Sequence, residues 1–258
     1  MTADTAEFTE FQLERYSRQL RDGGFGLEGQ RRLRDAHVVI SRGGGVGGTV
    51  AAQLAMAGVG RLTVAHGGDV VPEFLNRWLL ASPDDLGRPC ADAFADTLRR
   101  INPDAEITTI PEYVSPDNVR SIVSDATLIA DGAPLFEERY ALNQAAVDLR
   151  IPLVSGAMYD TEGYITTVVP GRTPCLACIY PEKPPYWTDI KVFPVMGPAP
   201  GLVGSVMAME AIKLITGFAE PLESKLMFFD LRTNMTRLLN IARRPDCAVC
   251  GALDTDTL

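Results

Sequence analysis

The chain has 258 residues, of which 46% are hydrophobic and 22% charged, and its mean hydropathy of +0.05 is close to zero. That length is enough for one large hydrophobic core or two small ones. The 33 acidic residues outnumber the 24 basic ones, and the formal net charge of −9 argues against general nucleic-acid binding because phosphates would be repelled.

The sequence carries no recognisable signal for export or membrane insertion. No apolar run is judged long enough to span a bilayer, and the polar, acidic N-terminus is unlike a signal peptide. Most of the cysteines fall in closely spaced pairs, which suits a reducing compartment. We therefore expect a cytoplasmic protein with neither a membrane nor a nucleic acid as partner.

The first part of the chain predicts alternating strands and helices. A charged helical segment at 8–35 precedes a strand at 36–40, a glycine cluster at 43–48, a helix at 50–57 and a strand at 62–65. Further helices are predicted at 91–101, 117–124 and 137–150, and further strands at 107–110, 127–130 and 153–155. Such alternation predicts a parallel sheet with helices on both faces.

After residue 160 the pattern changes. Strands are predicted at 164–169, 225–230 and 234–241, and an amphipathic helix at 205–216. The stretch 181–200 is rich in proline and lacks periodicity, so we predict a long loop there.

Two C-x-x-C pairs predict a metal site. They are formed by Cys175, Cys178, Cys247 and Cys250. Each tight turn lets two thiolates grip one ion, and two such turns supply the four sulfurs of a tetrahedral zinc site with no open position for a substrate. We expect structural zinc that joins a late loop to the C-terminal tail.

Several blocks, taken in order, resemble the ThiF/MoeB-like superfamily, whose adenylation domain is shared with ubiquitin-activating enzymes. They are Arg15-Tyr16-Ser17-Arg18-Gln19, Ala57-Gly58-Val59-Gly60, Asn102-Pro103, residues 152–157, residues 208–213 and both cysteine turns. The resemblance implies a dimer and a structural zinc. It also implies one domain over 1–258, with a helical segment (8–35), a Rossmann-like half (36–160) and a zinc-bearing half (161–258). The fold class expected is α/β, doubly wound and mostly parallel, with C-terminal antiparallel strands.

In that family, active members bind Mg-ATP and adenylate a C-terminal carboxylate, but this chain departs from the nucleotide-site pattern. The family loop G-x-G-G-x-G falls on 42–47, so Arg42 replaces its first glycine and is followed by Gly43, Gly44, Gly45 and Gly47. Such a long side chain hinders the close approach of a phosphate. Arg42 can also be read as a new anion contact.

Four further positions of the implied site are replaced. His66 stands where the family has an acidic residue for the ribose, and Phe74 where it has an asparagine. Cys90 stands where the family has a phosphate-facing lysine, and Pro134 where it has a magnesium-binding aspartate. The arginine Arg77 and the first aspartate, Asp131, are kept, and Arg88 lies close to Cys90 in sequence. Burial of Cys90 as a small apolar group is favoured over a reactive thiolate. We expect Mg-ATP to bind weakly or not at all.

Two interpretations of function remain open. The first is a non-adenylating or repurposed subunit that acts with a paralogue or partner protein, as a homodimer or heterodimer. In relatives the arginine at the Arg18 position reaches the partner's ATP phosphates, so Arg18 is either that group or a surface arginine. The alternative is an active adenylyltransferase for a small ubiquitin-like protein or peptide, with Arg42, Arg77 and Arg88 on phosphate and Asp131 on magnesium.

Overall fold

One mixed sheet forms the centre of the fold. The computed structural model describes residues 8–185 and 193–253. Its strands are β1 (His37–Ser41), β2 (Arg61–Ala65), β3 (Glu106–Ile110), β4 (Leu128–Asp131), β5 (Leu153–Tyr159), β6 (Glu162–Val168), β7 (Lys225–Asp230) and β8 (Met235–Asn240). They lie in the order β3-β2-β1-β4-β5-β6-β7-β8. The pairs from β3 to β5 are parallel and those from β5 to β8 antiparallel, which confirms the predicted fold class.

Helices pack on both faces of the sheet. They are α1 (Glu10–Arg15), α2 (Gly26–Asp35), α3 (Gly45–Ala57), α4 (Cys90–Ile101), α5 (Val119–Val123), α6 (Phe136–Leu149), α7 (Leu176–Ile179) and α8 (Pro198–Thr216). Val38 and Ile40 of β1 belong to one hydrophobic core, with α3, α4 and α8. Val39 belongs to a second core, with α5 and α6. Successive side chains of a strand point to opposite faces, so one strand supplies both cores.

The N-terminal segment is broken where a continuous helix over 8–35 was predicted. A capping box between Thr9 and Gln12 starts α1. The chain then turns at Asp22, whose carboxylate accepts hydrogen bonds from the backbone N–H groups of Gly24 (2.9 Å) and Phe25 (3.1 Å). An aspartate that binds the backbone just ahead of it favours a turn over a helix, and Gly26, with φ of 52°, begins α2.

Helix α8 begins earlier than predicted. The loop expected over 181–200 ends at Pro198, where the helix starts, and residues 186–192 of that stretch lie outside the described part of the chain. Proline fits the first turn because the N–H that it lacks would have no partner within the helix. Pro198 and Pro200 were therefore wrongly taken as loop residues, whereas Pro181, Pro184 and Pro194 lie outside any helix or strand.

By length and composition alone α8 could cross a membrane, contrary to the sequence analysis, with a mean hydropathy of 1.3 over 18 residues. Half of that window is buried inside the protein. It packs against α3 and β5, and Val203, Met207 and Ala211 are completely or almost completely buried. This is the environment of a core helix in a mixed α/β fold.

Candidate functional site

The four paired cysteines meet at one point. Their sulfur atoms all lie within 4.8 Å of one another, with 3.7 Å between Cys175 and Cys247 and 3.4 Å between Cys178 and Cys250. A tetrahedral site with metal–sulfur bonds of about 2.3 Å places its sulfurs about 3.8 Å apart, so the cluster fits such an ion. Every ligand position is filled by protein, which leaves no position for a substrate.

Backbone contacts hold the two cysteine turns together. The N–H of Arg244 points at the sulfur of Cys178 (3.4 Å), and the Arg243 guanidinium donates to the backbone oxygens of Gly171 (3.2 Å) and Leu253 (2.6 Å). Helix α6 contributes Asn143, whose side-chain oxygen accepts a hydrogen bond from the N–H of Leu176 (2.8 Å). The site joins the segment after β6 to the segment after β8, as the spacing predicted.

The glycine cluster makes a tight turn from β1 into α3. Arg42 sits at its start with φ of 62°, a left-handed conformation that glycine adopts most readily. A methyl group on Gly47 would lie 2.0 Å from the carbonyl oxygen of Arg42, so this glycine is needed for the turn itself. Helix α3 begins at Gly45 and thus includes glycines that the sequence analysis left outside it.

Side chains of the protein cover this turn. A methyl group on Gly44 would lie 3.1 Å from the indole nitrogen of Trp78, and one on Gly45 would lie 3.0 Å from Pro200. Phosphate binding at a helix N-terminus requires the anion to approach the backbone N–H groups. Trp78 and Pro200 lie against one side of this turn, while Gly44 and Gly45 also line a cavity. Trp78 was not expected from the sequence because nothing near it in the chain marks it as a neighbour of the turn.

The positive charge of Arg42 is matched inside the protein. Its Nε donates to Glu138 of α6 at 2.7 Å, a terminal nitrogen donates to the other oxygen of that carboxylate, and the guanidinium lies 3.4 Å above the centre of the Tyr113 ring. Both charged side chains are largely buried. Glu138 is 96 positions away in sequence and shares the first turn of α6 with Glu137, so no local pattern singles it out.

His66, directly after β2, is part of an aromatic cluster. Its ring makes edge contacts with Trp78, Phe94 and Tyr113 at centroid distances of 5.1, 5.2 and 5.6 Å. Burial, with a smaller contribution from the positive charge of Arg42, lowers the pKa of His66 to about 3. The imidazole is therefore neutral at physiological pH, and its Nδ1 is buried without a hydrogen-bond partner in the described part of the chain.

Asp131, at the end of β4, is completely buried. One carboxylate oxygen accepts a hydrogen bond from the N–H of Ala133 (3.1 Å). The other accepts from Arg139 (3.2 Å) and from the Ser155 hydroxyl (3.0 Å), and Arg139 also donates to the hydroxyl of Tyr164. The retained aspartate thus belongs to a buried network whose members the sequence did not reveal.

A cavity of about 260 Å³ lies beside the glycine turn. It brings together some of the predicted positions, namely Arg42, Gly44, Gly45, His66, Phe74, Arg77 and Pro134. Gly43, Gly47, Arg88 and Asp131 are not among its lining residues. Arg88 instead pairs with Asp85 (2.6 Å) and Asp96 (2.7 Å).

Two other predicted positions also lie apart from the cavity lining. Arg18 is exposed beside the 3₁₀ turn Gln19–Arg21. Cys90 is completely buried at the start of α4, and burial raises the pKa of its thiol to about 11. Its environment is that of a packed apolar residue, the role favoured from the sequence.

A larger cavity, of about 710 Å³, adjoins the first one along the sheet. The two share Ala157 and Met158 of β5. The larger cavity is lined mainly by aromatic residues, with Arg139 and Glu162 as its charged residues; the aromatic ones are Phe136, Tyr159, Tyr164, Tyr180 and Phe228. This cavity could not be predicted from the sequence, because its lining residues come from separate elements and share no spacing.

Comparisons with known proteins agree with this architecture. The model of the ThiF family matches residues 16–249. A heterocyst HesA protein of Trichormus variabilis is 46% identical over 243 residues, which cover 94% of this chain and 90% of that protein. The sulfur carrier protein adenylyltransferase of Thermus thermophilus is 35% identical over 251 residues, covering 95% and 93%.

A solved structure gives the same fold. The crystal structure of E. coli MccB with MccA-N7isoASN matches with a TM-score of 0.83 at 23% identity, covering 92% of this chain and 74% of that chain. Because the family model and the relatives extend over nearly the whole sequence, the chain belongs to the ThiF family.

Proposed function

We propose that this protein is a non-adenylating member of the ThiF family that acts by binding a partner protein or peptide. The observation that carries the proposal is the crowding of the glycine turn, where the Trp78 and Pro200 side chains lie against Gly44 and Gly45 and narrow the space beside them. The family fold is kept, but this crowding disfavours a triphosphate at the turn.

The charges around the cavity support this proposal. A triphosphate brings about four negative charges, each of which needs a cation or an amide dipole once water is excluded. Arg42 is already matched by Glu138, and Arg88 by Asp85 and Asp96. Arg77 is then the cavity-lining arginine to which no carboxylate is hydrogen-bonded among the described residues, although Glu73 interacts with its charge. These residues do not fit Mg-ATP.

The position of Asp131 also supports the proposal. Magnesium needs oxygen ligands with free lone pairs in an open site. The carboxylate of Asp131 is buried and already accepts three hydrogen bonds, while Pro134 offers no side-chain oxygen. Recruitment of Asp131 to a metal would require the network with Arg139 and Ser155 to break.

The partner is proposed to occupy the larger cavity on β5–β7. Its aromatic walls suit an extended segment with apolar side chains, and Arg139 and Glu162 offer polar contacts. The cavity continues toward the glycine turn through Ala157 and Met158. A small protein or peptide is therefore the kind of partner that we propose.

The metal is proposed to be zinc with a purely structural role. Four thiolates in a closed tetrahedral arrangement are the donor set that zinc prefers. When bound, the ion would cross-link the two cysteine turns and take no part in chemistry.

We propose a dimer, with itself or with a paralogue, through the face that carries α8 and the segment around Arg18. Met56 of α3 and Met209 of α8 are each 46% exposed, and these two helices pack against one another. Light scattering at micromolar concentration tests the homodimer, and a monomer with no bound paralogue contradicts it. The cytoplasmic location stays a prediction.

Adenylation is the competing function, favoured by the name of the Thermus thermophilus relative. ATP–pyrophosphate exchange with candidate carboxylate partners decides between the two, with that relative as the positive control. We expect no exchange above background and no micromolar affinity for Mg-ATP by calorimetry. Exchange that depends on a carboxylate partner would establish an active adenylyltransferase and refute our proposal.

Reintroducing the family residues tests whether the cavity can still bind a nucleotide. The variant Arg42→Gly/Cys90→Lys/Pro134→Asp restores the family residues, and adding Trp78→Ala uncovers the glycine turn. If the covered turn is decisive, we expect Mg-ATP binding only in the variant that also carries Trp78→Ala. Binding by the triple variant alone would show that the turn is accessible with Trp78 in place.

A further inference from the structure

The cavity beside the glycine turn combines aromatic walls with one incompletely bonded cation. Phe74 stacks on Trp78 with ring centroids 4.0 Å apart, and Tyr113 and Phe193 line the same space. Arg77 donates from one terminal nitrogen, to the backbone oxygen of Glu73 (2.7 Å) and the side-chain oxygen of Asn76 (2.6 Å). Within the described ranges, its other nitrogens have no hydrogen-bond partner.

His66 lines the cavity and carries a buried polar atom that is unsatisfied. Its side chain is 5% exposed and lines the cavity, yet Nδ1 has no hydrogen-bond partner in the part of the chain that the structure describes. Buried polar atoms in native proteins are nearly always satisfied, and one that is not calls for a partner such as a bound group. Because the imidazole is neutral, it can exchange one hydrogen bond with a ligand without a change of charge.

Size and charge restrict what can bind. The cavity, at about 260 Å³, is slightly smaller than the roughly 300–1,000 Å³ of typical drug-sized sites. With Arg42 matched by Glu138, Arg77 is the guanidinium that remains for an anion, and because the Glu73 carboxylate lines the same cavity and interacts with Arg77, a ligand with at most one negative charge is favoured. A planar carboxylate can bind a guanidinium through two parallel hydrogen bonds, and the surrounding rings favour an aromatic body.

We propose that this cavity binds a small aromatic carboxylate with a second hydrogen-bonding group, its carboxylate on Arg77 and that second group on His66. The inference rests on the proposed loss of adenylation, because Mg-ATP would need the same space. Small aromatic carboxylates would then be the ligands of this cavity in place of a nucleotide.

The test is calorimetric titration of the full-length, zinc-loaded protein with simple probes. These are 3- and 4-hydroxybenzoate, benzoate, which lacks the second polar group, and 4-hydroxybenzamide, which lacks the charge. We expect at least one hydroxybenzoate to bind at submillimolar concentration, and benzoate and the amide to bind about tenfold more weakly.

Variants assign each contact. Arg77→Gln should abolish the preference for acid over amide, and His66→Phe should abolish the preference for hydroxybenzoate over benzoate. Arg88→Gln is the matched control, since Arg88 lies outside the cavity lining, and it should bind like the wild type. Thermal unfolding of each variant verifies that it is folded.

The outcomes are distinct. Failure of both hydroxybenzoates to bind at millimolar concentration, or an acid preference that survives Arg77→Gln, overturns the ligand assignment. If neither the hydroxybenzoates nor Mg-ATP bind, only the ligand assignment is wrong, and the proposed function stands. Micromolar Mg-ATP binding with pyrophosphate exchange would instead overturn the proposed function and, with it, this inference.

Discussion

At the scale of single residues, Arg42 shows how an arginine can occupy a position at which the family resemblance led us to expect glycine. Its backbone keeps the left-handed conformation, with φ of 62°, and its side chain is held by Glu138 and Tyr113. A buried cation is tolerated only with a partner, because desolvation of an unpaired charge is costly. The substitution at position 42 is therefore coupled to the carboxylate at position 138.

This coupling predicts the behaviour of a double-mutant cycle. Glu138→Gln keeps the shape but removes the charge, and we expect it to lower the free energy of unfolding by about 3 kcal/mol, since an unpaired Arg42 stays buried. Adding Arg42→Gly should recover most of the loss, because no charge remains and glycine accepts the backbone conformation. Urea unfolding of the wild type, both single variants and the double variant measures the coupling.

The control for that cycle is an exposed ion pair. Asp148→Asn removes the partner of Arg120 on the surface, where both side chains are at least one-third exposed, and should change stability by less than about 0.5 kcal/mol. A loss in the double variant equal to the sum of the losses in Glu138→Gln and Arg42→Gly would mean that the two residues are not coupled.

His66 makes stability depend on pH in a defined direction. Its pKa is lowered from 6.5 to about 3 in the folded protein, so between these values the unfolded ring is protonated and the folded ring is not. The unfolded state then binds more protons, and the free energy of unfolding falls as the pH is lowered. The stabilising effect of the neutral ring is fully present above pH 6.5.

A phenylalanine at position 66 should remove this dependence. His66→Phe keeps an aromatic ring among Trp78, Phe94 and Tyr113 but cannot be protonated. We expect the loss of stability between pH 7 and pH 5 to be about 2 kcal/mol smaller than in the wild type. Urea unfolding at both pH values measures it; acid release of the metal affects both proteins alike. Parallel losses would show that His66 does not carry the effect.

Sequence reasoning identified some site residues and missed others for a physical reason. The four cysteines share a spacing that requires one ion, and the five replaced positions of the nucleotide site fall in register with a family pattern. Glu138, Arg139 and Trp78 share no such spacing with their partners, and their roles arise only when distant elements pack. Sequence identifies what replaces a site residue more readily than what surrounds it.

At the scale of elements, most periodic segments apart from the broken N-terminal one were predicted well, and glycine- or proline-rich boundaries were not. Helix α6 and strands β1 and β2 lie close to their predicted positions because their burial patterns are clear. Helices α3 and α8 begin earlier than predicted, in Gly45 and Pro198 respectively. The first turn of a helix tolerates glycine and proline. These residues therefore predict a loop from the sequence even where a helix begins.

Helix α8 offers a matched pair of glycines with opposite expectations. Gly217 ends the helix with φ of 70°, where alanine is strained, and Gly217→Ala should destabilise by about 1 kcal/mol. Gly201 lies inside the helix with open space around its Cα, so Gly201→Ala should stabilise by up to about 1 kcal/mol. Chemical denaturation midpoints measure both. A loss in Gly201→Ala would indicate that a partner occupies the space beside it.

At the scale of the whole molecule, the cysteine cluster links the C-terminal tail to the central core. Cys175, Cys247 and Cys250 pack into the same hydrophobic core as Val39 of β1 and Leu142 of α6. After β8, the described residues 241–253 form no helix or strand of their own. A metal bound there would stabilise long-range order, because ligands that bind one ion cannot separate without releasing it.

Removal of one ligand should therefore weaken the whole fold while leaving the distant cavity unchanged. Elemental analysis of reduced wild-type protein should give one zinc per chain, and Cys247→Ala should lose it. Loss of a structural metal is among the few changes that destabilise by about 4 kcal/mol or more, which lowers the melting temperature of a chain this long by about 10 °C. Cys90→Ala is the matched control, since Cys90 lies outside the cluster, and it should retain its zinc. A zinc content well under one per wild-type chain would contradict a structural metal. So would a melting temperature of Cys247→Ala equal to that of the wild type, because a closed thiolate site that loses a ligand should lose stability.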